Sequence, residues 1–348
     1  MAVSTIDNNG VNLGQLGNRN MIINGGMQVD QRNGGAAVTV GGSVVYVTDR
    51  FSSQNTTLTG TITGQQSTLG NSKSFKLTAT SAVTNLTTSK FVLGLLNVLE
   101  AQDVYHLNST TVTLSFTVET NWTGNLSVGF RNFDGTRSYI ANLAVTSGTN
   151  NVSVTVPFEA GTVDAIDSGK GLIVTIGANN EDTYQTATTD AWVSGNLITS
   201  TSSTQWAKTT GNFINITNLQ LEAGDTATPF EHRSYGDELA RCQRYYERII
   251  GTNTSNVFGV LQVFTVNEAQ GGYSFATTKR SVPTMSSGGV FRVRSAAGSS
   301  QSAALTFPSI NKEQTDIVCT TTTGALLAGD ATMFRCDQNA WFAADAEL

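Results

Sequence analysis

Two histidines are the first residues to consider for chemistry, because acid–base and nucleophilic catalysis most often use one. Any Ser-His-Asp or Cys-His arrangement in this sequence would have to use His106 or His232. No G-x-S-x-G turn precedes a helix to present a nucleophile. Each histidine is more typical of a surface or interface hydrogen-bonding residue than of a base, so the sequence predicts no nucleophilic catalysis.

A pair of carboxylates is the other arrangement that could do acid–base work, as in glycoside hydrolysis. The candidates are Glu100, Asp103, Glu119, Asp134, Glu181 and Asp182. Spacing in sequence does not show the separation between two carboxyl groups, and charges on solvated loops are the simpler interpretation. We therefore predict that the chain is not an enzyme.

Metal and nucleotide motifs give little support for a cofactor. The run "ANNEDTY" at 178–184 places oxygen ligands of the type that Ca²⁺ takes in one loop, yet no DxDxDG repeat is present. The glycines of "GGMQVDQRNGG" and "VTVGG" match neither a phosphate-binding loop nor a dinucleotide fingerprint, and are typical of turns. The prediction is no metal and no cofactor.

Three cysteines, Cys242, Cys319 and Cys336, lie far apart in sequence without a CxxC pair. With two histidines they cannot assemble a zinc framework. A disulfide between Cys319 and Cys336 remains open.

Aromatic side chains are the better candidates for binding, since a flat apolar ring with a polar edge can stack on a sugar. Five of them lie in or beside polar, Thr-rich segments of the first domain: Trp122, Tyr139, Tyr184, Trp192 and Trp206. The alternative for each is that the ring covers the hydrophobic core.

Composition restricts the class of protein. The 348 residues carry a net charge of −6, and only 13% are charged while 39% are apolar. Only 20 residues are Lys or Arg, too few for a phosphate-binding surface, so we expect no nucleic acid partner. No run approaches the length of a membrane helix, and the first residues lack a basic segment followed by an apolar one. We expect neither membrane insertion nor conventional secretion.

The elements that would position these side chains are strands. Alternation of apolar and polar residues with period two predicts strands at 111–118, 125–130, 138–145, 151–158, 171–178 and 212–222. Asp134-Gly135 predicts a tight hairpin between the second and third of these. Weaker patterns favour strands at 21–29, 44–53, 58–67 and 72–80, and 89–107 has a mixed pattern. The fold class is all-β, as a sandwich or barrel.

One helix is predicted from Ser234 to about residue 250. Ser234 suits the N-cap, acidic residues follow in the first turn, arginines come later, and Gly251 would end it. Leu239, Cys242, Tyr246 and Ile249 form a short apolar stripe that must pack on something. Short alternating segments return over 252–348. The predicted domains are an N-terminal arm at 1–20, a β-sandwich at 21–233, a junction helix at 234–250 and a smaller β-domain at 251–348.

Three segments together resemble a group of tailed-bacteriophage virion proteins that form tail fibres, tail tips or head decorations and are common among marine phages. The segments are "NRNMIINGGMQVDQRNGG" near the start, "YVTDRF" at 46–51 and "ITNLQLEAGDTATPFEHRSYGDELARCQRYYERI" at 216–249. Positions that match are Asn20, Asn24, Gly25, Gln28, Arg32, Asp49, Arg50, Phe51, Leu219, Leu221, Glu222, Gly224, Pro229, Phe230, Glu231, Arg233, Cys242, Gln243, Arg244 and Tyr245.

The resemblance implies a jelly-roll sandwich similar to carbohydrate-binding modules, followed by a variable C-terminal β-domain. It supplies no catalytic residue. It implies a noncatalytic tail fibre or tail tip protein that attaches to a host surface glycan or protein, located in a virion assembled in the host bacterial cytoplasm. A head fibre or capsid decoration protein is the alternative within this class.

The resemblance also implies partners. Phage fibres are homotrimers, and the stripe of Leu239, Cys242, Tyr246 and Ile249 is where three chains would meet, while residues 1–20 would thread into another virion protein. Packing of the helix between the two β-domains of one chain is the alternative. A glycan-degrading tailspike enzyme is the alternative from a different class. It would require a long repetitive β-helix, and the sequence shows no internal repeat of about 20–50 residues.

Overall fold

The computed structural model describes residues 18–348 except 58, 164, 254–255, 295–299, 323 and 325. Apart from its last three residues, the predicted arm at 1–20 lies outside the described residues. The chain forms two compact units: the first runs to Glu238, and the second from Leu239 to Glu347.

The first unit is a two-sheet sandwich. Its strands in chain order are β1 Val38–Val40, β2 Val45–Thr48, β3 Phe51–Asn55, β4 Thr61–Leu69, β5 Ser72–Ser81, β6 Val92–Glu100, β7 Thr111–Thr120, β8 Gly124–Asn132, β9 Arg137–Val145, β10 Gly148–Pro157, β11 Lys170–Ile176, β12 Gln185–Thr186, β13 Trp192–Ser194, β14 Thr199–Ser200 and β15 Phe213–Ala223. Helix α1, Ala101–Val104, leads into a 3₁₀ turn at Tyr105–Leu107, and a second 3₁₀ turn covers Trp206–Lys208.

The two large sheets are antiparallel throughout. One has the order β1-β4-β5-β15-β7-β10, and the other β13-β9-β8-β11-β6-β3-β2. The chain passes repeatedly from one sheet to the other, as in a jelly roll. The prediction of an all-β fold with a jelly-roll sandwich is therefore confirmed.

The core lies between the two sheets because each strand buries alternate side chains. On β7, Val112, Leu114, Phe116 and Val118 belong to one large buried cluster. Phe130 from β8 is fully buried in the same cluster. The six strong strand predictions are confirmed, and β8 pairs with β9 as expected. Of the Asp134-Gly135 pair, Gly135 alone has a left-handed backbone, with φ of 71°.

Residues 21–29 are a turn, not the predicted strand. Asn24 and Met27 both have left-handed backbones, with φ of 62° and 54°, and the Met27 amide donates to the Asn24 carbonyl at 2.7 Å. The predicted strand at 44–53 is two strands, β2 and β3, because Arg50 turns the chain with φ of 72°.

Asn20 holds the start of the described chain against β15. Its Nδ2 donates to the Leu219 carbonyl at 2.9 Å, and its Oδ1 accepts from the Ile22 and Leu221 amides. Its own backbone amide donates to Glu231 Oε2 at 2.8 Å. A side chain thus replaces the partners that a regular ladder would supply.

Asn24 also supplies hydrogen bonds to backbone groups that have no partner in a regular ladder. Its amide group donates to the carbonyls of Val29 and Asp49, both at 2.8 Å, and accepts from the Val29 amide. The Asn24 backbone amide donates to Glu238 Oε1 at 2.6 Å. Gly25 must lack a side chain, since a Cβ there would lie 2.1 Å from the Leu219 carbonyl oxygen.

Arg233 completes this buried polar network. Its guanidinium donates to the carbonyls of Asn20 and Ile22 and lies 3.2 Å from Glu231 and 3.6 Å from Glu238. Burial would raise the pKa of the Glu231 carboxyl, but the Asn20 amide and the Arg233 charge outweigh it and hold this pKa below its ordinary value.

Helix α2 covers Tyr235–Gln243 and is shorter than predicted. The N-cap prediction is confirmed: Ser234 Oγ accepts from the Asp237 amide at 3.2 Å and donates to the Asp237 carboxylate at 2.7 Å. The helix ends early because the β-favouring run that follows it forms a strand, β16 at Tyr246–Ile250, instead of a further turn. Gly251 therefore does not end the helix.

The predicted trimer stripe is not one helix face. Leu239 and Cys242 lie on α2, whereas Tyr246 and Ile249 lie on β16. Cys242 is 1% exposed and Tyr246 7%, and Ile249 packs against the core of the second unit. Cys242, Tyr246 and Ile249 thus pack within this chain, and the four predicted side chains do not form one stripe on a helix.

The second unit contains a closed barrel and a small sheet. After β16 its strands are β17 Asn256–Thr265, β18 Glu268–Ser274, β19 Thr284–Gly288, β20 Phe291–Arg294, β21 Ser300–Thr306, β22 Gln314–Thr320, β23 Ala331–Cys336 and β24 Trp341–Asp345. The barrel order is β17-β18-β22-β21-β20-β23, and β16-β24-β19 form the sheet.

One buried ion pair fixes the second unit. The Lys279 side chain is fully buried, and its Nζ lies 2.5 Å from Glu247 Oε2 and donates to the Gln243 carbonyl at 2.6 Å. Glu247 also accepts from the Ala276 amide at 3.0 Å and the Tyr273 hydroxyl at 3.1 Å. Burial lowers the pKa of Lys279, and Glu247 opposes that shift.

All three cysteines are buried and none forms a disulfide, so the possible Cys319–Cys336 cross-link is absent. Among the described residues, no helix is long and apolar enough to cross a membrane.

Replacing Glu231 with Gln tests the polar network. The variant keeps a side-chain oxygen for the Asn20 amide but removes the charge beside Arg233. Because the folded pKa is lowered, the charge stabilises the fold fully above about pH 5, and this contribution is lost as the pH falls through the folded pKa. We expect E231Q to lower the free energy of unfolding by about 1–2 kcal/mol at neutral pH, with the difference closing toward about pH 3.

Urea unfolding across this pH range measures the difference. The control is Glu159→Gln, because Glu159 pairs with Arg137 at a half-exposed site and its loss should change stability by less than about 1 kcal/mol. A difference for E231Q that stays constant with pH would contradict the expected role.

Replacing Lys279 with Met leaves the Glu247 carboxylate buried without its cation. We expect a loss of about 3–5 kcal/mol in the second unit, and partial recovery in the Lys279→Met, Glu247→Gln double variant, where both charges are gone. Hydrogen exchange of peptides covering 246–250 and 273–279 checks this, and equal protection in all three proteins would show that the pair is dispensable.

Candidate ligand-binding site

A groove of about 310 Å³ lies on the outer face of the seven-stranded sheet, within the size range of small-ligand sites. Its apolar floor is formed by Leu93, Leu96 and Val98 of β6 and Ile173 of β11. Leu93 and Leu96 belong to a small cluster separate from the main core. We call this site the sheet groove.

A bulge in β6 creates the floor. Ser52 pairs with Leu96 but Gln54 pairs with Leu93, so β6 has one extra residue between these pairs. Leu93 and Leu96 therefore face the same side although they are three residues apart. Gly94 permits this, since a Cβ there would lie 2.0 Å from the Ile176 carbonyl oxygen.

Two aromatic rings form one wall of the sheet groove. Phe91 and Tyr184 meet edge to face, with ring centroids 5.4 Å apart. Both rings are half-buried and both line the groove. They present an apolar surface beside polar groups, including Ser52, Gln54 and Asn196. Gln54 is held in place because its Nε2 donates to the Gly42 carbonyl at 2.6 Å.

Asn180 positions this wall. It is fully buried, and its Nδ2 donates to the carbonyls of Lys90 at 2.7 Å and Leu86 at 3.0 Å. Its Oδ1 accepts from the amides of Asp182 and Tyr184, the latter at 2.8 Å. The amide that the sequence suggested as a calcium ligand thus ties the loop before Phe91 to the loop that carries Tyr184.

Arg131 brings positive charge into the sheet groove from β8. Its Nη1 donates to Asn196 Oδ1, while its buried Nε has no hydrogen-bond partner. Burial lowers the pKa of the Arg131 guanidinium to about 10, with Tyr184 opposing the shift, so Arg131 remains charged at neutral pH. Lys170, at the start of β11, is exposed on the same groove.

Of the five predicted binding aromatics, Tyr184 lines the sheet groove. Trp122 and Trp206 are buried, and their Nε1 atoms donate to the carbonyls of Phe213 at 3.0 Å and Gly177 at 2.8 Å. For these two, the structure corrects the prediction: they cover the core.

Tyr139 and Trp192 are also packed inward. Tyr139 is 3% exposed and meets Trp192 edge to face at 5.7 Å. Trp192 is half-buried, packs against the core, and donates from Nε1 to the Pro157 carbonyl at 2.6 Å. The structure therefore corrects the prediction for Tyr139, which lies in the core, whereas Trp192 is half-buried and does not line the sheet groove.

Sequence patterns do not identify five residues that line the sheet groove: Phe91, Arg131, Lys170, Gln54 and Asn196. Each comes from a different strand or loop, and none belongs to a motif. Phe91 opens the mixed segment 89–107, which is where a signal could have been found: an aromatic residue stands directly before a Leu-rich strand interrupted by Gly94.

The candidate catalytic carboxylates have structural partners. Glu181 pairs with Lys208 at 2.7 Å, and Asp182 accepts from the Thr88 amide at 2.9 Å. The others are held by local hydrogen bonds or lie in a short helix: Glu100, Asp103, Glu119 and Asp134.

The two histidines lie away from the sheet groove. His106 is in the 3₁₀ turn after α1, and His232 packs edge to face on Phe230 at 5.0 Å. No group of three or more metal-ligating side chains occurs among the described residues.

A second groove, of about 600 Å³, lies on the outer face of the barrel in the second unit. Phe264 is 64% exposed there, beside Gln262 and Gln270. Glu268 and Asp316 also line this second groove. They lie on neighbouring strands and are four residues out of register, which corresponds to about 13 Å along the sheet.

Comparison with known proteins gives structural likenesses only. No family model matches the sequence, and no curated protein matches it. Among solved structures, the enzymatically active domain of tailspike protein 4 from bacteriophage CBA120 is similar, with 13% identity and a TM-score of 0.30. That alignment covers 59% of this chain and 21% of the tailspike chain, so this chain spans about a fifth of it.

Two carbohydrate-binding modules are also similar. The CBM22-1 xylan-binding domain from Paenibacillus barcinonensis Xyn10C has 11% identity and a TM-score of 0.29 over 56% of this chain and 99% of that domain. TmCBM61, solved with β-1,4-galactotriose, has 12% identity and a TM-score of 0.26 over 60% of this chain and 100% of that module.

Replacing Asn180 with Ala should release the aromatic wall. The change removes two accepted hydrogen bonds and those donated to the carbonyls of Leu86, Thr88 and Lys90 at a buried site, and we expect a local loss of about 2–4 kcal/mol. Hydrogen exchange should rise in peptides covering 86–91 and 181–186. Asn85→Ala, at an exposed position in the same loop, is the control and should leave exchange unchanged. Unchanged exchange in N180A would contradict the positioning role.

Proposed function

We propose that this chain is a noncatalytic structural protein of a tailed-phage virion, and that its first unit binds a host-surface glycan in the sheet groove. The observation that carries the binding part is the Phe91–Tyr184 wall beside amide and hydroxyl side chains over an apolar floor. The resemblance of three sequence segments to phage virion proteins supports the setting.

The chemistry of this wall suits a sugar ring. One face of a pyranose is largely C–H and packs on an aromatic surface, while its hydroxyls require donors and acceptors at the edge. Gln54 and Asn196 supply amides on either side of the floor, and Ser52 supplies a hydroxyl. A single site of this kind binds weakly, and many copies on one particle would raise the effective affinity.

The homotrimer remains part of the proposal through the resemblance to fibres, but without the stripe on α2. Sedimentation equilibrium of the full chain at micromolar concentration tests it. A threefold mass supports the trimer, and a monomeric mass contradicts it.

Binding is tested by affinity electrophoresis of the full chain in gels containing xylan, β-1,4-galactan, polygalacturonate or dextran sulfate. We expect retardation by at least one polysaccharide. Tyr184→Ala should weaken it about tenfold, because stacking on one ring is worth about 1 kcal/mol or more. Tyr105→Ala, at a tyrosine 45% exposed outside the sheet groove, is the matched control.

Two results would overturn the binding proposal: no retardation by any of the four polysaccharides, or equal retardation of Y184A and the original chain. Release of reducing ends from the same polysaccharides would overturn the noncatalytic part, particularly if Glu181→Gln or Asp182→Asn abolished it.

A further inference from the structure

Charge in the sheet groove points to a narrower class of ligand. Resting on the proposed function, we infer that the sheet groove selects an anionic glycan, one that carries a carboxylate or a sulfate beside Arg131. The aromatic wall recognises a sugar ring, and the cations determine which sugars are retained.

First, the charged side chains that line the sheet groove are positive. The chain has a net charge of −6, yet Arg131 and Lys170 line the sheet groove, and among the described residues that line it there is no Asp or Glu side chain, although Leu348, the last residue of the sequence, lines it too. The nearest carboxylate in the ladder is Glu100, paired with Lys170 across β6 and β11. Glu100 is buried, accepts from Gln102 Nε2 at 2.8 Å, and does not line the groove.

The second step is the state of Arg131. Removing a guanidinium from water is costly unless a counter-charge compensates it. Elsewhere in this chain carboxylates provide that charge, as Glu231 and Glu238 do for buried Arg233 at 3.2 Å and 3.6 Å. Within the part of the chain that the structure describes, Arg131 has the Asn196 amide oxygen and no carboxylate.

The third step is shape. A guanidinium binds planar carboxylates and sulfate oxygens through two parallel hydrogen bonds, and the Arg131 guanidinium lines the sheet groove. Arg131 lies opposite Ile173 in the ladder, and Lys170 is three residues further along β11, about 10 Å away. Two linked pyranose rings cover that span, so charges on neighbouring sugars can meet both cations.

The test compares matched polysaccharides on the full chain. Polygalacturonate is set against its methyl ester, which removes the carboxylate charge, and dextran sulfate against dextran. We expect at least tenfold tighter binding to one or both anionic forms, weakening as NaCl rises from about 50 mM to about 500 mM. The pair that shows the difference identifies carboxylate or sulfate as the recognised group.

Variants locate the effect. Arg131→Gln should remove the preference for the anionic form by at least tenfold. Lys170→Glu, a change at an exposed position that leaves the wall intact, should also reduce it. Arg137→Gln removes the same charge outside the sheet groove and should leave the preference unchanged.

Different results would contradict the anionic preference and the proposed glycan binding. Equal binding of charged and neutral forms, with Y184A still impaired, would overturn the anionic preference and leave glycan binding standing. Loss of preference in R137Q as large as in R131Q would also overturn it, because the effect would then follow overall charge. Absence of binding to xylan, β-1,4-galactan, polygalacturonate and dextran sulfate would overturn glycan binding itself.

Discussion

Backbone groups at residues 20–29 lie inside the first unit without a regular sheet partner, and Asn20 and Asn24 supply the hydrogen bonds that a neighbouring strand would have made. A buried backbone amide without a partner costs about as much as a lost hydrogen bond. The hydrogen bonds made by the two asparagines, Arg233 and its two glutamates must therefore form together. This network joins the start of the described chain, the end of β15 and the start of α2.

The network also gives the sequence motifs a physical meaning. Asn20, Asn24 and Gly25 come from the opening motif, Asp49 from the second, and Glu231 and Arg233 from the third. They are separated by up to about two hundred residues and meet at one buried site. Motif residues that meet in this way specify architecture, while the sheet groove is lined mostly by positions outside the motif segments, with Tyr46 of "YVTDRF" as the exception. Such a scaffold permits the ligand-contacting residues to change without disturbing the fold.

Much of the fold could be predicted because strands with one wet face carry their pattern locally, as "TVTLSFTV" does. Three other features depend on contacts with distant residues and could not be predicted from the local pattern. Residues 21–29 are apolar enough for a strand, but the Asn24 turn overrides that pattern. The helix from Ser234 has a correct start, because a cap is local, and a wrong end, because β16 is defined by its partner β24. The sheet groove depends on a bulge at Gly94 and on loops that Asn180 joins. Periodicity also does not say which aromatic side chains face inward, so Tyr184 could not be separated from Trp206.

The three buried thiols have a consequence for the covalent state of the chain. Burial raises the pKa of Cys319 to about 12, and it raises the pKa of Cys336 as well, with Asp337 adding to that shift. The thiolate is the form that oxidants attack, so at neutral pH the sulfurs of Cys319 and Cys336 present almost none of the reactive species. The fold thus requires no cross-link to form and offers none to be reduced. The described fold therefore does not depend on the redox state of its surroundings for a cross-link.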